Sequence, residues 1–199
     1  MSVKSFGRYP LVYVLCALWL VSVSIAANAT GRVDASHPNY IRTVLLSKMI
    51  SYTYWPQDKP HSDSEDVVIC LIASNQTYLN NLTPFIGILN ERRTDKGQLK
   101  VHSALISSNE LKQESLGLPF ECKIFYYSHL TDDLLAVVSD VAKQRGVLTI
   151  SDSKSNLRGG TMVAFIEKQS RLKIFINEKQ LDDSGVRLKS SLLRIANRI

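Results

Sequence analysis

The run VVICLIA, Val67–Ala73, constrains the fold more than any other segment of the chain. All of its residues are apolar, so both faces of a strand built from them must be covered. Strands covered on both sides are typical of parallel sheets that lie between layers of helices. The run therefore predicts an α/β protein with a buried strand at this position.

Segments with helical and strand periodicity alternate along the middle of the chain. Pro84 interrupts the second helical pattern and can begin a fresh helical turn. Because consecutive parallel strands are joined by right-handed crossovers, this alternation predicts a layered, mostly parallel central sheet flanked by helices on both faces. We predict helices over residues 39–54, 79–89, 108–114 and 131–146, and strands over residues 67–73, 98–106, 122–128 and 147–150.

The fourth helical segment has the clearest end signals. Thr131 can cap its start, Asp132 and Asp133 suit the positive N-terminal end, and Gly146 can close it. After residues 159–160 the pattern changes to two short strands, 161–167 and 172–176, which predict a hairpin. The apolar residues Leu192, Leu193 and Ile195 then predict a C-terminal helix.

The N-terminus has the three parts of a secretory signal peptide. Lys4 and Arg8 precede an apolar segment over residues 11–26, which is followed by Ala27-Asn28-Ala29. The alternative is an uncleaved membrane anchor, but the apolar segment is shorter than the roughly 20 residues that a spanning helix needs. We therefore expect residues 1–29 to be a signal peptide and residues 30–199 to form a single exported domain.

The positive charge of the chain is spread over its length. The formal net charge is +6, and it falls to +4 without Lys4 and Arg8. No dense basic run occurs, so a solvated surface explains the surplus better than a nucleic-acid patch does. Export also makes DNA or RNA a poor partner.

Cys70 and Cys122 remain after the predicted signal is removed, because Cys16 lies within it. An even pair without metal-ligand spacing in an oxidising compartment favours a disulfide, whereas the same pair in the cytosol would favour buried thiols.

The loop after residue 150 is where an α/β enzyme would place its chemistry. A nucleophilic role for Ser151 or a basic role for Asp152 lacks support, since His37, His61, His102 and His129 lie in unrelated segments and no G-x-S-x-G elbow occurs.

The glycine pair in this loop, Gly159 and Gly160, precedes a strand, so it does not match a phosphate loop, which lies between a strand and its helix. Tight backbone approach or a positive φ explains it better. No metal-binding motif appears, and the charged pairs Asp132-Asp133 and Asp182-Asp183 are better explained as helix-end charges. We expect the loop to turn the chain, with its polar residues satisfying backbone groups.

Three aromatic residues, Tyr52, Tyr54 and Trp55, cluster after the first helix. Large aromatic side chains are frequent both in cores and at binding hot spots. The sequence leaves open whether these residues belong to the core or to a partner surface.

Several separated motifs occur in a fixed order along the chain. They are Tyr52-Thr53-Tyr54-Trp55-Pro56, Cys70, Cys122, Val147-Leu148-Thr149-Ile150-Ser151-Asp152, Gly159-Gly160-Thr161-Met162-Val163-Ala164-Phe165, Ile174-Phe175-Ile176-Asn177 and Leu188-Lys189-Ser190-Ser191-Leu192-Leu193-Arg194-Ile195-Ala196. In order and spacing, these motifs together resemble the YfiR family of bacterial periplasmic proteins. This chain departs from the family at Tyr52, where Phe is common, and at Ile174-Phe175-Ile176-Asn177, where Phe-Glu-Ile-Asn is common. A second cysteine pair of some relatives is missing.

The resemblance implies a periplasmic, non-enzymatic regulator without a cofactor. It would bind and repress the sensor part of an inner-membrane diguanylate cyclase, and so modulate cyclic-di-GMP signalling and biofilm formation. The resemblance also implies an outer-membrane lipoprotein as a second partner, a homodimer, and a disulfide between Cys70 and Cys122. A periplasmic small-molecule binder with its pocket rim after residue 150 is the alternative, and a hydrolase that pairs a histidine with Ser151 is the third hypothesis.

Overall fold

The computed structural model describes residues 38–56, 67–90, 93–94, 97–105, 122–128, 130–169 and 171–199. These residues belong to one compact unit, Asp34–Ile199. The predicted signal peptide and the predicted helix at residues 108–114 lie outside the described residues.

The described helices and strands alternate through most of this unit. The helices are α1 Pro38–Tyr52, α2 Gln76–Asn90, α3 Asp132–Arg145, α4 Lys154–Arg158, α5 Glu178–Ser184 and α6 Ser190–Leu193. The strands are β1 Thr53–Tyr54, β2 Val67–Ala73, β3 Arg93–Thr94, β4 Gly97–Leu105, β5 Cys122–Tyr127, β6 Leu148–Ser151, β7 Val163–Lys168, β8 Arg171–Ile176, β9 Arg187–Leu188 and β10 Asn197–Arg198.

The main sheet of the described residues has the strand order β10-β8-β7-β6-β5-β2-β4-β3. Neighbouring strands from β4 to β7 are parallel, whereas β3 pairs antiparallel with β4 and β8 pairs antiparallel with β7. A separate antiparallel ribbon joins β1 to β9. The predicted α/β class with a mostly parallel central sheet is confirmed.

The strand β2 lies at the centre of the core, as its composition predicted. Each of its residues is buried, and it pairs in parallel with β4 on one side and β5 on the other. The pairing with β5 is irregular after Val68, because that residue lies opposite Cys122 while Ile69 lies opposite Ile124. Lys123 is therefore an extra residue in β5, as in a β-bulge.

The helix α3 begins and ends where its sequence signals indicated. Gly146 has φ 64 at its C-terminal end, a left-handed conformation that suits glycine, and its N–H bonds to the carbonyls of Ala142 and Lys143. Thr131 occupies the N-cap position, but its side chain makes no capping hydrogen bond. The acidic first turn, Asp132 and Asp133, still favours the positive end of the helix.

The C-terminal part differs from the sequence prediction in two ways. The predicted hairpin is present as β7 and β8, but the helix α5 that follows it was not predicted. The predicted C-terminal helix is confined to the single turn α6, because the next residues form β10, which pairs in parallel with β8.

The predicted interruption of the second helix at Pro84 is absent. In α2 the helix continues through Pro84 without a break.

Candidate functional site

The Ser151 side chain is committed to the turn between β6 and α4. Its Oγ accepts hydrogen bonds from the Ser153 amide at 3.1 Å and from Asn156 Nδ2 at 3.0 Å, and the residue is fully buried. An oxygen held by two internal donors and shielded from solvent has no free path to a substrate. Ser151 therefore holds the turn together.

Further hydroxyl groups connect the same strand ends. Thr149 Oγ1 accepts the Met162 amide at 2.9 Å, and the Tyr127 hydroxyl lies 2.9 Å from Thr161 Oγ1. Burial raises the pKa of Tyr127 to about 12, and the hydrogen bonds to Thr161 and Thr149 oppose this rise. These contacts satisfy buried polar groups between β5, β6 and β7 and make the loop rigid.

The glycine pair allows the loop to approach α3 closely. Gly160 has φ 127, and a Cβ atom there would lie 2.9 Å from Ser139 Oγ. A Cβ at Gly159 would overlap with the Leu135 side chain. Both positions therefore need glycine for packing against α3, as tight backbone approach predicted.

A buried polar cluster lies beside this loop. The Tyr78 hydroxyl donates a hydrogen bond to Asp152 Oδ2 at 3.3 Å, which joins α2 to the end of β6. Burial raises the pKa of Tyr78 and that of Tyr126, and the negative charge of Asp152 raises both further. The positive charge of Arg42, from α1, acts in the opposite direction on both tyrosines.

Three atoms of this cluster are buried without a hydrogen-bond partner of adequate geometry in the described part of the chain. They are Arg42 Nε, Tyr126 Oη and Asp152 Oδ1. The guanidinium of Arg42 is nevertheless anchored, because Nη1 donates to Asn39 Oδ1 at 2.8 Å and Nη2 lies 4.0 Å from Glu167 Oε2. This cluster was not predicted from the sequence, because its residues come from four separate segments.

The cleft next to the cluster is small. It has a volume of about 10 Å³ and lies between α1 and α2, and Leu71 and Tyr126 are among the residues that line it. A volume of this size holds about one water molecule. None of the predicted pocket-rim residues, 151–160, is among the residues that line this cleft.

The hydrolase hypothesis requires a histidine next to Ser151. The side chains of His37, His61, His102 and His129 all lie outside the described part of the chain. Within that part, no group of three or more His, Cys, Asp or Glu side chains is placed to hold a metal ion.

The aromatic segment after α1 divides between core and surface. Tyr52 and Trp55 are half-buried and pack against the core, and Trp55 Nε1 donates to the Lys123 carbonyl at 3.1 Å. Tyr54 points away from the core and is 55% exposed. Lys189 Nζ lies 5.7 Å from the centre of its ring, within the range of a cation–π contact. Of the three aromatic residues, Tyr54 is the most exposed.

The disulfide joins the two central strands. Cys70 in β2 and Cys122 in β5 are bonded, with Cα atoms 5.8 Å apart, and both are buried. The structure therefore contains the predicted pair. Because Cys122 directly precedes the bulge at Lys123, the disulfide and the Trp55 hydrogen bond fix the same end of β5.

The fold and these sites define a disulfide-linked, mostly parallel α/β domain whose strand-end hydroxyl groups serve its structure. Among the described residues, no helix combines the length and apolar character needed to cross a bilayer. The chain belongs to the YfiR/HmsC-like family, whose model matches residues 39–197. Members of this family are periplasmic regulatory proteins that act on diguanylate cyclases and are not catalytic.

Comparison with solved structures supports the fold. A conserved domain protein from Vibrio cholerae O1 biovar El Tor strain N16961 is similar with a TM-score of 0.53 at 9% identity, over 81% of this chain and 60% of that chain. The ABC domain in complex with L-Trp from Streptococcus pneumonia has a TM-score of 0.49 at 12% identity, over 66% of this chain and 54% of that chain. This chain thus spans little more than half of either structure. No curated protein sequence matches the chain significantly.

Proposed function

We propose that this chain is a periplasmic repressor that binds the sensor part of an inner-membrane diguanylate cyclase and thereby lowers cyclic-di-GMP and biofilm formation. The observation that carries the proposal is the family match over residues 39–197, which includes nearly the whole described domain. The geometry around Ser151 agrees with a non-catalytic role, because its hydroxyl is buried and already bonded.

A repressor of this kind acts by differential binding. It shifts the cyclase toward its inactive state only by the difference between its affinities for the two sensor conformations. The proposal includes a cleaved signal peptide over residues 1–29, a second copy of the chain as a dimer partner, and an outer-membrane lipoprotein that sequesters the repressor.

The test is deletion of the gene in the native bacterium, with cyclic-di-GMP measured by mass spectrometry. We expect the level to rise in the deletion strain, to return when the gene is supplied in trans, and to stay low when the cognate cyclase is deleted as well. An unchanged level in a strain that expresses the cyclase would refute repression. A rise that persists after deletion of every membrane-bound cyclase would also refute it.

A further inference from the structure

Four basic residues lie between residues 187 and 198, in the segment whose first strand, β9, pairs with the strand of Tyr54. No acidic residue occurs after Asp183. Of the four, Arg187 and Arg194 are exposed and Lys189 is half-buried, while Arg198 Nη1 lies 2.9 Å from Glu178 Oε1. The segment therefore keeps a positive charge after the ion pair of Arg198 is counted.

Two of these residues, Arg187 and Lys189, lie next to Tyr54. Tyr54 lies opposite Arg187 in the β1–β9 ribbon, and Lys189 lies over its ring. The single turn of α6 follows directly: the Lys189 carbonyl accepts the Leu192 amide at 2.9 Å. A helical turn rises only about 5.4 Å, so the residues at the end of α6 stay near Lys189.

The far end of α6 adds two exposed apolar side chains. Ile195 is 74% exposed and Ile199 is 53% exposed. Arg198 Nη2 reaches back to the Leu193 carbonyl at 3.5 Å, which keeps β10 next to α6. We call the set Tyr54, Arg187, Lys189, Arg194, Ile195 and Ile199 the Tyr54 surface.

The composition of this surface is that of a protein-binding site. Single exposed apolar residues are normal on any protein, but here three of them lie among cations in one short segment and its partner strand. Tyr and Arg are enriched at binding hot spots, where an aromatic ring gives contact area at little entropic cost. The positive charge of the Tyr54 surface favours an acidic partner and speeds the association with it.

We propose that the Tyr54 surface binds an acidic segment of the cyclase sensor, with an apolar side chain of that segment packed against Tyr54. This inference rests on the proposed function and adds the surface and the chemistry of the partner. The contact is electrostatic at its edge and apolar at its centre. Its affinity therefore falls as salt is raised but does not vanish.

The experiment measures binding of the full oxidised protein to the purified periplasmic part of the cognate cyclase. The first variant, Arg187→Glu/Lys189→Glu/Arg194→Glu, is expected to lose at least about 10-fold in affinity, mostly through slower association. The second, Tyr54→Ala, is expected to lose about 10-fold or more through faster dissociation. Both should retain the wild-type thermal unfolding temperature within a few degrees, because these side chains are exposed or half-buried and none belongs to the hydrophobic core.

A matched control has the same change in charge elsewhere. Lys154→Glu/Lys168→Glu/Lys173→Glu reverses three exposed lysines outside the Tyr54 surface. We expect its affinity to stay within about two-fold of the wild type. If the control weakens binding as much as the first variant does, only net charge matters and the inference is wrong.

Other outcomes separate this inference from the proposed function. If deletion of the gene raises cyclic-di-GMP but both Tyr54-surface variants still bind the sensor and restore repression, the proposed function stands and this surface is refuted. The surface is also refuted if the wild type binds vesicles of phosphatidylethanolamine and phosphatidylglycerol through these residues but not the sensor. If deletion leaves cyclic-di-GMP unchanged, the proposed function fails. The Tyr54 surface is still supported in that case if the wild type and the control variant bind the sensor and the two Tyr54-surface variants do not.

Discussion

Reduction of the Cys70–Cys122 disulfide is expected to lower the free energy of unfolding by about 4 kcal/mol. The two cysteines are 52 residues apart in sequence, and both are buried. In the chain-entropy model, a loop of this length removes about 14 cal/mol/K from the unfolded state, which is about 4 kcal/mol at 25 °C. For a domain of this size, the loss corresponds to a fall of about 8–16 °C in Tm.

The assay is urea-induced unfolding of the same chain with and without reductant. Comparison of the two redox forms of one sequence avoids the cavity that a substitution would leave. Because the sulfur atoms are buried, reduction is carried out in denaturant before refolding. The reduced form should unfold at lower urea, with a steeper dependence on denaturant, since its unfolded state exposes more surface.

The variant Cys70→Ala/Cys122→Ala is the control, and reductant should not change its stability. Coincident midpoints for the oxidised and reduced wild type would refute the reasoning, because the disulfide would then contribute nothing to the folded domain. A reductant effect on the double variant would show that the change has another source.

Three further predictions concern two buried tyrosines, two glycines and the pH dependence of stability. Tyr127→Phe should lower the free energy of unfolding by about 1–2 kcal/mol, because its hydroxyl is hydrogen-bonded to Thr161 Oγ1. Tyr126→Phe should lower it less, because the Tyr126 hydroxyl has no partner of adequate geometry in the described part of the chain; urea unfolding gives the order, and the reverse order would contradict it. Gly160→Ala should lower stability by about 1–3 kcal/mol through its φ of 127 and the nearby Ser139 Oγ. Gly87→Ala, which meets nothing within 4 Å in α2, should raise it by about 1 kcal/mol, and equal thermal shifts for the two variants would refute the reasoning. Burial raises the pKa of Tyr127 to about 12, above the value of about 10 in the unfolded chain. The neutral Tyr127 side chain therefore stabilises the folded state fully below about pH 10, and this stabilisation is lost as the pH rises from about 10 through 12. Urea unfolding below about pH 10 and near pH 12 measures the loss, and equal free energies of unfolding at the two pH values would contradict the raised pKa.

The central sheet was predictable because its signal is local. The run that became β2 is apolar at every position, and α3 has its apolar face and its terminal glycine within one short segment. Each element can therefore be identified without knowledge of its neighbours. The disulfide followed from the number of cysteines and the expected compartment, and from the family resemblance, but not from any pattern that fixes which strands meet.

The C-terminal region was harder to predict because distant partners decide its structure. The apolar spacing predicted a longer terminal helix, but the helix ends after α6 because the next residues form β10, which pairs with β8 at the edge of the sheet. The two-residue strand β9 forms only because β1 lies opposite it. Helical spacing in one segment does not reveal such competition.

The aromatic residues after α1 illustrate the same limit. Tyr52, Tyr54 and Trp55 are adjacent in sequence, and their types suit both a core and a surface. Only the ribbon with β9 and the hydrogen bond from Trp55 to Lys123 separate their roles. The polar cluster around Asp152 could not be predicted from the sequence either, because its residues come from α1, α2, β5 and the end of β6 and become neighbours only in the folded chain.

The β1–β9 ribbon links the first described helix to the last quarter of the chain. Tyr54 meets Arg187 and Lys189 only after nearly all of the polypeptide has been synthesised and has folded around the core. A chain that is cut short or trapped halfway would display the tyrosine without its cations. A partner that recognises both would thus distinguish finished copies of the protein from unfinished ones, and signalling would respond only to molecules that have completed folding.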